Sequence, residues 1–176
     1  MITRRTFLIV GAGGAAALAA AYWLRHTPDE GPARQGATPW AGLDPQARDV
    51  VAAIAPVLLE GALPAAGSDR QAALDQTIDD VGRAIAGLAP SARDELGQLF
   101  ALLAFAPARV LLARVSAPWR EAAPADVGAF LDRWRDSRWA LQRSAYDAFH
   151  LLVFAAWYGN PRSWPATGYG GPPKLG

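Results

Sequence analysis

From Asp44 onwards, apolar residues return at the spacing of a helix and nowhere settle into the alternation of a strand. Asp44-Pro45 reads as a helix start, a capping side chain followed by proline at a position whose N–H has no helical partner. Val50, Val51, Ile54, Val57 and Leu58 continue that helix towards Glu60, with Pro56 placed to kink or shorten it. Gly61 to Gly67 form a connection. A second helix starts near Ser68 or Asp69, with Leu74, Ile78, Val81 and Ile85 on one stripe and Gly87 near its end. Pro90-Ser91 opens a third, bearing Leu96, Leu99, Phe100, Leu103 and Ala104 on one side, and Pro107 breaks it.

A short apolar helix from Ala108 to Val115 is expected next, then a turn from Pro118 to Ala123. Pro124 opens a helix with Val127, Phe130, Leu131 and Trp134 inward, and Asp132, Arg133, Arg135 and Asp136 on its wet side. The last helix runs from about Ser137 to Tyr158 and holds Trp139, Tyr146, Phe149, Val153 and Trp157. The expected class is all-α: a small irregular bundle of five to six helices after an N-terminal signal helix, with an extended Pro/Gly/aromatic C-terminal tail.

Two stretches depart from the amphipathic pattern. Ala148 to Tyr158 has a single strongly polar side chain, His150. A helix apolar all round is either the centre of a bundle or has a face turned to a partner, and this one is too short to span a bilayer. From Gly159 to Gly176 the chain is dense in proline and glycine yet keeps Trp164 and Tyr169. That composition predicts an extended tail whose aromatics dock on the domain itself or on a partner.

The N-terminus reads Thr3-Arg4-Arg5-Thr6-Phe7-Leu8, then remains uncharged to Leu24. Paired arginines before an apolar, Ala/Gly-rich run form a twin-arginine export signal. Ala19-Ala20-Ala21 offers a cleavage site. Tyr22, Trp23 and Arg25 also suit the interfacial end of an anchor formed by residues 6–24. Gly11-Ala12-Gly13-Gly14-Ala15-Ala16 matches a dinucleotide fingerprint, but no βαβ unit follows to give those glycines their turn. The chain therefore divides into a signal or anchor at 1–25, a Pro/Gly linker at 26–43, a helical domain at 44–158 and a docking tail at 159–176.

Composition narrows the chemistry. There is no cysteine, which excludes disulfides, thiol catalysis and cysteine-ligated clusters. The formal net charge is +1, and without Arg4 and Arg5 the body is close to neutral, unlike a nucleic-acid binder. His26 and His150 are the two histidines and lie far apart, so no metal spacing exists; the ordinary reading of His150 is a hydrogen-bonded core residue. Asp79-Asp80 and Asp94-Glu95 are neighbours in sequence, so on a helix they point in different directions. No serine sits in a nucleophile-elbow context. Neither a catalytic residue nor a metal ligand is expected.

Taken in order, the twin arginines, the linker, the cysteine-free helical domain, Phe149-His150-Leu151-Leu152-Val153-Phe154, Trp157-Tyr158-Gly159-Asn160-Pro161 and Thr167-Gly168-Tyr169-Gly170-Gly171-Pro172-Pro173 resemble the gluconate 2-dehydrogenase subunit 3 type. These are the small subunits of membrane-associated flavin dehydrogenases. The resemblance covers essentially the whole chain, apart from an acidic, proline-marked stretch after the first helix, where only Leu63-Pro64-Ala65 stands. It implies a non-catalytic subunit on the periplasmic side of the cytoplasmic membrane. Its partner would be a large flavoprotein of the glucose-methanol-choline (GMC) type that carries FAD, folds inside the cell and leaves with it through the twin-arginine translocase. Electrons would pass on to a cytochrome c. Thr3, Arg4, Arg5, Phe7 and Leu8 would be the export signal. Trp157, Tyr158, Asn160, Pro161, Trp164, Tyr169 and Pro172 are the candidate partner contacts. The alternative is a stand-alone exported or membrane-tethered helical binding module.

Overall fold

A computed structural model describes residues 43–169, and within them the chain is helical without a strand. The five longer helices are α1 (Pro45–Leu58), α2 (Ser68–Ala86), α3 (Pro90–Ala104), α5 (Pro124–Arg135) and α6 (Ala140–Tyr158). Between α3 and α5 lie a single turn, α4 (Ala106–Ala108), a π-helical turn (Arg109–Ala113) and a 3-10 turn (Trp119–Glu121). The leader and the dinucleotide-like glycines fall outside the described residues, as does Pro172.

The Asp44 carboxylate caps α1 as expected, accepting from the backbone N–H of Gln46 at 2.8 Å and of Ala47 at 2.9 Å. Pro56 lies inside the last turn, where its lack of an N–H leaves the Ala52 carbonyl without its helical donor, and α1 stops two residues later at Leu58. Helix α1 is the hub of the bundle and touches α2, α3, α5, α6 and the 3-10 turn. Its buried face is Ala47, Val50, Val51, Ile54 and Ala55. Gly128 of α5 faces α1 with room for a methyl, which would lie in ordinary contact at 3.7 Å from Cγ1 of Val57.

Of the two expectations for the apolar segment at 148–158, the central position is thus taken by α1 instead. Helix α6 packs one face, Ala145, Phe149, Val153, Ala156 and Trp157, mainly against α2 and α5. It also starts at Ala140 rather than at Ser137, because the chain turns there: the Ser137 hydroxyl accepts from the Trp139 N–H, and Arg143 donates to the Ser137 carbonyl at 2.6 Å.

The break after α3 is sharper than a proline kink. Phe105 is extended (φ −68°, ψ 113°), and the axes on either side are bent by 81°. The helix expected over 108–115 is a π-helical turn closed by Arg114 in the left-handed region (φ 54°). The tail also departs from its expected extended course. Residues Pro161–Ser163 form a 3-10 turn and Trp164–Thr167 a last helical turn, α7, ended by Gly168 at φ 71°. Proline fits there because it occupies the first positions of each turn, where no helical N–H is needed.

Candidate functional site

The most distinctive surface is the outer side of α6 together with the start of the tail. Tyr146, His150, Phe154 and Tyr158 are spaced by four and so stack up one stripe of the helix. The ring centroids are 5.9 Å apart for Tyr146–His150, 4.1 Å for His150–Phe154 and 5.6 Å for Phe154–Tyr158. His150 and Phe154 are nearly parallel, at 18°. His150 is half-buried, not a core histidine, and among the described residues its ring makes no hydrogen bond. Beside the ladder, Leu151 is 69 % exposed and Leu141 is 82 % exposed. Leu151 follows Phe154 and Tyr158 around the helix and extends the apolar end of the ladder, whereas Leu141 lies on the opposite flank, and the exposed Arg143 and Asp147 stand along the stripe.

The tail is tied to the lower end of this helix. Asn160 donates from Nδ2 to Asp80 of α2 at 3.0 Å, and its Oδ1 accepts from the Arg162 N–H at 3.0 Å, which caps the 3-10 turn. Ser163 is buried and donates to the Asn160 carbonyl at 2.9 Å. Trp164 Nε1 donates to the Tyr158 carbonyl at 3.0 Å, and Tyr169 meets the Trp164 ring edge-on at 5.3 Å. The described part of the tail therefore docks on its own domain.

This arrangement sorts the expected partner contacts. Trp157 is 4 % exposed and belongs to the domain's own core, so it is not available to a partner. Asn160 is occupied by α2, and Trp164 is half-buried against the end of α6. Tyr158, Pro161 and Tyr169 are exposed. Sequence reasoning missed Leu141 and Leu151. Their spacing is as helical as that of the core positions, and only the direction of packing separates the two sets.

Of the paired acids, Asp79 and Asp80 have structural partners. Asp79 pairs with Arg48 at 2.7 Å, whereas Asp80 pairs with Arg83 and also accepts from Gln76 and Asn160. No group of three metal-ligating side chains forms among the described residues. A void of about 10 Å³ between α1, α2, α3 and α6 is lined by Val51, Ile54, Val81, Phe100, Phe149, Leu152 and Val153. It has room for about one water but no polar side chain to hold it. Near the start of α6, Asp136 is held below the usual carboxylate range by the two-pronged hydrogen bond from Arg135, and the same contact raises the guanidinium. Both are exposed, so the pair is a surface feature and not a proton-transfer site.

No protein-family model, curated protein or solved structure matches the chain.

Proposed function

We propose that this chain is a non-catalytic small subunit that escorts a GMC-type FAD dehydrogenase through the twin-arginine pathway and stabilises it. In this reading the flavin belongs to the partner, and export of the partner is the work done. The observation that carries it is the outer face of α6, where the Tyr146–Tyr158 ladder runs on to the exposed Leu151. Such a face suits a protein partner, because aromatic side chains supply large contact area at low cost in conformational entropy. The Arg4-Arg5 leader supports the reading too, since that route carries folded cargo.

The test is co-expression of the large flavoprotein with and without this chain, followed by dehydrogenase assay of the periplasm. Activity appears there only with the escort, and Arg4→Lys with Arg5→Lys keeps it inside the cell. Unchanged export with the lysine pair overturns the proposal.

A second reading, a stand-alone exported or membrane-tethered helical binding module, is favoured by the closed core. Buried residues from all five longer helices join in one cluster, enough to support an independent domain. Purification of the natural protein separates the two. A stable monomer with no flavoprotein bound supports the module, and a stoichiometric flavoprotein complex supports the escort.

A further inference from the structure

The corner between α3 and the π-helical turn carries a second apolar surface of different chemistry. Leu102, Val110, Leu111 and Leu112 are exposed there, Leu111 at 72 %. All are aliphatic, with none of the aromatic character of α6. The 81° bend makes this region a projecting corner and not a groove.

The carbonyls at the end of the corner are met by side-chain donors. The Leu112 carbonyl accepts from Trp134 Nε1 at 3.3 Å and the Ala113 carbonyl from Arg133 at 2.6 Å. Arg109 donates to the carbonyls of Val115, at 3.2 Å, and Ser116, at 3.1 Å. In water an exposed turn can leave such carbonyls to solvent; next to hydrocarbon it cannot, because each bare carbonyl is costly.

Charge points the same way. Between Glu95 and Glu121 the chain has no acidic residue, and its cations are Arg109, Arg114 and Arg120. Arg120 is paired with Asp49, whereas Arg114 is exposed and forms no ion pair among the described residues. An aliphatic tip followed by a cation, with no carboxylate in its own segment and with the α5 acids Asp132 and Asp136 paired to Arg135, is complementary to a surface of anionic phosphates over hydrocarbon.

We propose that the corner formed by residues 102–114 seats on a bilayer containing anionic phospholipid. Val110, Leu111 and Leu112 enter the headgroup–acyl boundary, and Arg114 meets the phosphates. The inference is independent of the escort reading, which concerns α6.

The absence of cysteine allows a clean test. Leu111→Cys and Leu141→Cys are made separately in the full chain and labelled with an environment-sensitive fluorophore. Circular dichroism checks that each keeps its helical spectrum. Each is mixed with vesicles of phosphatidylcholine alone or with phosphatidylglycerol added. The label at 111 brightens several-fold, shifts to the blue on the anionic vesicles and is quenched by shallow spin-labelled lipid; the label at 141 stays water-like. Arg114→Gln lowers the inserted population about fivefold.

A label at 111 that stays in water while the chain is vesicle-bound overturns the proposal. Equal insertion into both vesicle types overturns the role of Arg114. A blue shift without lipid that grows with protein concentration assigns the corner to a second copy of the chain and overturns the lipid assignment.

Discussion

Trp119 Nε1 donates to the carbonyl of Leu103 at 2.8 Å, and the sequence explains why that carbonyl is open. In a continuing helix it would receive the N–H of residue 107, but Pro107 has none. The 3-10 turn replaces the lost backbone donor with an indole from beyond the break. The same ring packs on Phe130 at 5.7 Å, so one side chain closes the end of α3 and fills the core against α5.

Trp119→Phe keeps most of the ring but leaves the Leu103 carbonyl buried and unpaired. The expected loss is about 1–3 kcal/mol of unfolding free energy, read from the urea midpoint. Trp119→Ala also opens a cavity and costs about 3–5 kcal/mol. Equal midpoints for the native chain and the Phe variant would show that another donor reaches the carbonyl.

Gly67 begins α2 with φ 92° and ψ −162°, a region essentially reserved for glycine. No atom lies within 4 Å of a methyl built there, so crowding is not the issue. Gly67→Ala is expected to cost about 1–3 kcal/mol through backbone strain alone. Thermal unfolding checks this, and Ser68→Ala, at the exposed next position, serves as the near-neutral control.

Asn160 joins the tail to α2 and caps the turn that follows. Asn160→Ala removes both hydrogen bonds, at an expected cost of about 1 kcal/mol. The loss is local. Amide exchange at Arg162 and Ser163 becomes faster, while the core amides of Val50 and Ile54 keep their protection. Uniform acceleration across the domain would contradict the local role.

Asp136 has its carboxyl pKa depressed by the Arg135 hydrogen bond, so the contact favours the folded chain above the ordinary aspartate range. That contribution is lost as pH falls through the lowered native value. Carboxyl NMR titration of Asp136 should give a value below that of an ordinary aspartate. In Arg135→Gln the value should rise back towards the ordinary aspartate range.

On α6, Leu141→Glu with Leu151→Glu should leave the isolated domain within about 0.5 kcal/mol of the native chain, since both side chains already face water. If the escort reading holds, the same pair lowers periplasmic activity of the co-expressed dehydrogenase. Normal export by a normally folded double variant would remove α6 as the docking face.

Much of the fold was legible from local signals. Asp44-Pro45, Pro90 and Pro124 start α1, α3 and α5 because capping and proline geometry act within a few residues. Val127, Phe130, Leu131 and Trp134 are all buried, as their period required. Period fails where both faces of a helix are apolar. Along α6 it could not separate Phe149, which is buried, from Leu151, which is not. The tail failed differently: its prolines were read as excluding helix, but Pro161 and Pro165 each sit at the start of a turn, where the missing N–H costs nothing.

By itself, then, the sequence determined the all-α class, the helix starts and the inward stripes of amphipathic helices, because these depend on spacing along one chain. Which helix is central, which apolar face meets water and which residues tie the tail down were decided by tertiary packing. Val50 and Ile54 became the hub because α2, α3, α5 and α6 all pack around α1, a property of facing surfaces and not of one segment. Asn160 found Asp80 for the same reason, since no local signal pairs residues so far apart in the chain.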